Sequence, residues 1–135
     1  MYDIATIEGD GIGPEVCRSA VAVLKEACGA ELLRFSHHEG GAGHWQKSGA
    51  VLPDETFAAC RDAHAILHGA AGLPGVTYAD GTEVGNDLHL RLRFRLDLFA
   101  NVRPVHAVLR AETSADRLHP KSSVVAMRRS EAHSF

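Results

Sequence analysis

The chain has 135 residues, 45% of them hydrophobic, enough to bury the core of one ordinary domain and too few for two. Fourteen Lys and Arg against seventeen Asp and Glu leave a net charge near −3, which removes any global attraction to nucleic acid or to an anionic membrane surface. No apolar stretch reaches the length of a membrane span, and the first residues lack a basic stretch followed by an apolar run, so the expected compartment is the cytoplasm.

Asp3 to Glu8 is a short run with β-branched residues that breaks off at Gly9-Asp10-Gly11-Ile12-Gly13-Pro14, a strand feeding a glycine turn. Pro14 suits a first helical position and Glu15 the positive end of a helix, with Val16, Ala20, Val23, Leu24 and Ala27 at helical spacing and Gly29 as the stop. Ala30 to Phe35 is expected as a second strand, and the polar, glycine-rich stretch from His37 to Gly49 as loop. Leu52-Pro53-Asp54-Glu55 opens a second helix, and Ala65 to His68 is a third strand running into Gly69-Ala70-Ala71-Gly72-Leu73-Pro74-Gly75. This alternation of strand and helix is the rhythm of a mainly parallel sheet. From Leu88 to Leu98 every second residue is apolar, which taken alone reads as a strand. Beyond Pro104 no sustained period remains.

Three stretches are candidates for chemistry. The turn from Gly9 to Glu15 allows close backbone approach, but Pro14 stands where a dinucleotide fingerprint needs a third small residue. The loop from Gly69 to Gly75 follows a strand at the end of the sheet where ligands collect, and on spacing alone an ordinary glycine loop fits equally well. Arg91, Arg93, Arg95 and Arg103 offer bidentate carboxylate recognition, or simply a solvated basic face. Cys17, Cys28 and Cys60 lack metal or disulfide spacing and read as small buried thiols. Among nine histidines, His37-His38 with His44, or His64 with His68, invite a metal reading. Surface or packed histidine is preferred, since His64 and His68 fall where helix gives way to strand.

Together, Ile7-Glu8-Gly9-Asp10-Gly11-Ile12-Gly13-Pro14-Glu15-Val16, Gly69-Ala70-Ala71-Gly72-Leu73-Pro74 and Leu92-Arg93-Phe94-Arg95-Leu96-Asp97-Leu98-Phe99-Ala100-Asn101-Val102-Arg103-Pro104 resemble, in order, the opening motifs of isopropylmalate and isocitrate dehydrogenases. The resemblance implies an α/β chain, the N-terminal part of the isopropylmalate dehydrogenase-like fold, with a mainly parallel sheet and flanking helices over residues 1–104; the tail over 105–135 diverges from the family and, for want of a period and with several Ser and charged residues, is expected to be poorly ordered. It also puts Leu88 to Leu98 mostly on a helix, against the alternation, and the resemblance is preferred.

By the same resemblance, the activity is NAD-dependent oxidation of a malate-type 2-hydroxy acid (isopropylmalate, malate, tartrate or isocitrate), followed by decarboxylation with Mg or Mn. Gly69, Ala70, Ala71, Gly72, Leu73, Pro74 and Ile12 are expected at the NAD, and Arg93 and Arg103 at the substrate carboxylates. His89 is expected near the variable part of the substrate, where it argues against a wholly greasy pocket. The family's metal-ligating aspartates and its catalytic tyrosine and lysine find no counterpart here, so the 135 residues alone are expected to be inactive. The alternative is a non-catalytic remnant or interaction module of the same fold. Family members are homodimers that act on small molecules, with neither nucleic acid nor membrane as a partner.

Overall fold

A computed structural model describes residues 1–102 and 125–128. Strand β1 (Tyr2–Ile7) lies between β2 (Leu33–His38) and β3 (Ala65–His68) in a parallel sheet of order β2-β1-β3. As the middle strand it is covered on both faces, and Ala5, Thr6 and Ile7 have no solvent exposure, so an unbroken run of small and β-branched side chains suits it better than alternation. Ile7 pairs with both His38 and His68. The three strands therefore end level, and their following loops emerge side by side.

Parallel strands need crossover connections. Helix α1 (Gly13–Cys28) joins β1 to β2; α2 (Ala42–Ser48) and α3 (Asp54–Asp62) join β2 to β3; α4 (Val84–Arg95) follows the glycine loop. Helix α1 starts with Pro14 in its first turn and stops at Gly29, whose φ of 88° only glycine adopts cheaply. Its buried side differs from the expected stripe. Gly13 and Cys17 are buried, Ala20, Val21 and Leu24 half-buried, while Val16 and Val23 face solvent. The inner face thus runs through 13, 17, 20, 21 and 24, a stripe masked in the sequence by apolar residues on the outer face.

Two further expectations change. Strand β2 sits three residues later than the predicted Ala30–Phe35, and the presumed loop from His37 to Gly49 contains α2, ended by Gly49 in the left-handed region with its N–H on the Trp45 carbonyl. Over most of the alternation from Leu88 to Leu98 the chain is helical, as the resemblance implies and against the two-residue period: α4 runs to Arg95. A two-residue repeat contains a four-residue one: Val84, Leu88 and Leu92 are buried, while Leu90 and Phe94 are exposed. The last residues of the alternation, from Leu98, belong to β4.

The chain divides at Arg93 into two units, and in the second, among the described residues, β4 (Leu98–Val102) pairs antiparallel with β5 (Val125–Arg128). The tail expected to be poorly ordered lies outside the described residues apart from β5. Among the described residues no helix is long and apolar enough to cross a membrane.

Helix α4 is seated on the glycine loop without intervening side chains: a Cβ placed on Gly85 would overlap the Cα and N of Gly72. Gly85→Ala must push backbone from backbone, and it should destabilise the chain by about 3 kcal/mol, the upper range of an overpacking cost. A urea-unfolding midpoint shows whether it does; an unchanged midpoint would contradict the seating.

Candidate functional site

The site is assembled from the level carboxyl ends of the sheet, where open α/β proteins hold their ligands. Its organising group is Asp10, which is only 7% exposed. Asp10 Oδ2 accepts the N–H groups of Ala42 and Gly72 at 2.7 and 2.8 Å, and Oδ1 accepts that of Gly43 at 2.8 Å. One carboxylate thus joins the β1 turn, the start of α2 and the glycine loop. It also supplies what α2 lacks locally, since Gly41 at its N-cap has no side chain to cap with. The sequence reading named Asp10 only as a member of the glycine turn; its side-chain partners lie 32 to 62 residues away.

The strand order places a topological switch between β1 and β3, the usual crevice for a ligand. Here that crevice is filled by backbone. Asp10 N–H donates to the Ala70 carbonyl at 2.7 Å, and a Cβ on either Gly9 or Gly13 would collide with that same oxygen. The open space is displaced to the β1/β2 side, as a cleft of about 440 Å³. Glu8 and Gly11 of the turn, Glu39 after β2, His44 and Lys47 of α2, and Leu73 of the glycine loop line it. His44 Nδ1 lies 2.8 Å from Glu39 Oε2, and His37 Nδ1 3.4 Å from Glu8 Oε1.

The residues expected at NAD fall as follows. Ile12 is exposed at the N-cap of α1. Within the glycine loop, the Gly69 N–H is spent on the Ile7 carbonyl and the Gly72 N–H on Asp10, so neither can serve a cofactor. Ala70 and Pro74 are exposed, and the Leu73 side chain turns into the cleft. An exposed Ile12, a small exposed Ala70 and the acidic Glu15 in the first turn of α1 suit an uncharged ring better than a pyrophosphate. That much of NAD fits.

Of the expected substrate residues, His89 and Arg93 are half-buried on α4, and Arg103 lies outside the described residues. Arg91 is engaged at home: its Nε and the Tyr78 hydroxyl both donate to Asp87 Oδ2, at 2.6 and 2.8 Å, and Tyr78 meets the edge of Trp45. Among the described residues no three His, Cys, Asp or Glu side chains converge as a metal needs. His64 is committed elsewhere, its Nδ1 accepting the Asp3 N–H at 3.1 Å. Cys17 and Cys60 are buried, and burial pushes the Cys60 thiol up to about 11, which leaves it chemically quiet. Cys28, expected to be buried as well, is exposed.

His68, which the sequence offers with His64 as a metal pair and which reads better as a packed histidine, is the last residue of β3. Burial lowers its pKa below the ordinary value, the neighbouring His89 acts in the same direction, and the Gly69 carbonyl and Asp10 oppose them. Its Nδ1 bonds the Gly69 carbonyl, while its buried Nε2 has no hydrogen-bond partner among the described residues.

This arrangement defines a class: an α/β chain whose glycine loops, at the ends of a parallel sheet, are locked to one another rather than wrapped around a phosphate. The profile of the Isocitrate/isopropylmalate dehydrogenase family matches residues 3–130, and the chain belongs to that family. It is 41% identical over 101 residues to 3-isopropylmalate dehydrogenase of Zymomonas mobilis, covering 75% of this chain and 29% of that protein. With the 3-isopropylmalate dehydrogenase of Archaeoglobus fulgidus it shares 38% identity over 129 residues, 95% of this chain and 34% of the relative. Among solved structures, the β-decarboxylating dehydrogenase of Thermococcus kodakarensis superposes with a TM-score of 0.66 at 36% identity, over 97% of this chain and 35% of that one. Isocitrate dehydrogenase of Methylococcus capsulatus gives 0.65 at 28% identity, over 93% and 34%. The chain spans about a third of the length of these proteins.

Two outcomes follow from this geometry. Asp10→Asn replaces one of the two accepting oxygens by an NH2 group facing an N–H, and it should cost about 3 kcal/mol, the price of a charge-assisted bond turned into a clash; denaturant midpoints measure it, and a cost near zero would remove Asp10 from its central role. For His68, the unfolded imidazole takes up a proton near its ordinary 6.5 while the native one resists to lower pH. The unfolded state therefore binds more protons in that interval, and stability falls as pH drops through it. The loss of thermal midpoint between about pH 7 and about pH 5 should be smaller in His68→Leu than in the parent; an identical loss would show that native His68 titrates normally.

Proposed function

We propose that the chain contributes the N-terminal portion of an NAD-dependent decarboxylating dehydrogenase acting on a malate-type 2-hydroxy acid. The observation that carries this reading is the Asp10 lock, because it holds the Gly69–Gly75 loop in one place beside an exposed Ile12, which is what a loop offering a surface to the cofactor's ring requires. NAD, when bound, supplies the acceptor for the hydride leaving the hydroxyl-bearing carbon. The chain's own residues bind and orient. Ile12 and Ala70 give the ring an apolar surface, Asp10 keeps the loop from yielding to it, and the half-buried His68 and His89 border the strand end from which the loop departs.

Arg93, and Arg103 beyond the described residues, are proposed to hold the substrate's carboxylates through paired guanidinium hydrogen bonds. His89, a polar side chain on α4 among leucines, favours a substrate with a polar substituent, such as malate or tartrate, over one with a bare isopropyl group. A divalent metal, Mg or Mn, belongs to the proposed reaction. The described residues provide no ligand set for it.

The test is ligand-induced stabilisation. A ligand that binds only the native chain at about a hundred times its dissociation constant adds about 2.7 kcal/mol, so NAD should raise the thermal midpoint by several degrees. The same preparation should form no reduced cofactor with isopropylmalate, malate, tartrate or isocitrate. An unmoved midpoint at millimolar NAD would sink the cofactor assignment for this chain, and turnover would sink the division of labour between it and the rest of a dehydrogenase.

A further inference from the structure

Between the glycine loop and α4 the chain forms a small hairpin, residues 76–84, that closes on itself. Tyr78 N–H donates to the Thr82 carbonyl at 2.9 Å, Gly81 N–H to the Tyr78 carbonyl at 3.0 Å, and Thr77 bridges Glu83. A lone two-stranded hairpin is marginal in water, so its place depends on what it touches. From Thr77 to Glu83 every residue except Tyr78 is exposed, and Glu83 reaches Asn86 only at 3.4 Å. At the base, Gly75 holds a φ of 77°, a glycine setting where a segment can turn.

Tyr78 reaches two helices at once. Its ring meets Trp45 of α2 edge-on, with centroids 5.4 Å apart and planes at 80°, while its hydroxyl donates to Asp87 Oδ2 on α4 at 2.8 Å. Burial, and then that bond, raise the phenol's pKa above its ordinary value, so it remains a donor at neutral pH. The same oxygen of Asp87 also accepts Arg91 Nε, at 2.6 Å. A guanidinium can hold a carboxylate through two parallel bonds. Arg91 sits one helical turn along with its side chain 53% exposed, so it has room to rotate and take both oxygens. Asp87 is therefore paired with the phenol in place and still paired after the phenol leaves. Two donors on one acceptor make a tie that can be undone without stranding a half-buried charge.

We propose that Tyr78 latches residues 76–84 to α4 through Asp87, and that Arg91 is the competing donor that takes the carboxylate over when the hairpin lifts away. Opening turns about Gly75 and uncovers the indole of Trp45, so the hairpin gates what approaches α2 and α4 from that side. The latch does not rest on the dehydrogenase reading, since it involves neither cofactor nor substrate.

Backbone amide exchange reads the latch in the 135-residue chain, because an amide bonded within the hairpin exchanges once the hairpin leaves its support and melts. Tyr78→Phe keeps the ring beside Trp45 and removes the hydroxyl. The amides of residue 78 and Gly81 should then exchange about tenfold faster, as loss of a bond to a charged acceptor predicts, while those of β1 keep their rates. Arg91→Met keeps the aliphatic stem and removes the competitor, and it should slow the same two amides. An ion pair that merely stiffens α4 would give the opposite sign, so this second variant separates the latch from a helix-surface pair. Unchanged exchange at the hairpin in either variant, faster exchange there in Arg91→Met, or an equal acceleration across β1 would each overturn the proposal.

Discussion

One buried carboxylate sets the geometry on which everything else rests. Asp10 accepts three backbone N–H groups, two from the start of α2 and one from the glycine loop, and bonds of this kind are about twice as strong as those between neutral partners. Without it, α2 would begin with unsatisfied N–H groups behind a bare glycine, and the glycine loop would have no anchor on the β1 turn beyond the Asp10–Ala70 backbone bond. The cleft owes its existence to the same contact, since two of its walls are the elements that Asp10 ties together.

The glycines show how one local pattern can serve two purposes. In dinucleotide folds, glycines between strand and helix let a pyrophosphate approach the backbone. Here Gly9 and Gly13 let the Ala70 carbonyl approach, and Gly13 and Gly69 both crowd the carbonyl of Glu8. The space a phosphate would take is occupied by the chain itself. Pro14 is then no anomaly, because nothing in this arrangement needs the N–H that a proline lacks.

Much of the fold was legible because its signals are local. Strand β3 lies at Ala65–His68 as expected, α1 stops at Gly29, and α3 starts behind Pro53 with Asp54 and Glu55 in its first turn. The failures share a cause. Helix α2 is seven residues long and capped by an aspartate 32 residues away, so no window of sequence contains the reason it is helical. The inner face of α1 was obscured because Val16 and Val23 are apolar yet exposed. At the site, the glycine loop could be found from its motif, but the internal use of the Gly69 and Gly72 N–H groups could not. The histidines and acids of the cleft come from separate segments that only the level ends of β1 and β2 bring together.

The remote capping of α2 also orders events in time. Seven residues are too few to hold a helix in water unaided, so α2 cannot serve as a preformed piece around which the rest assembles. Its cap exists only once β1 has brought Asp10 into place, and the tie from Asp10 to Gly72 closes a span of 62 residues, a slow kind of contact because long loops must close first. Helices α1 and α4 can flicker into being on their own; α2, and with it the shape of the cleft, is acquired only when the sheet closes, and is the first feature given up when it opens.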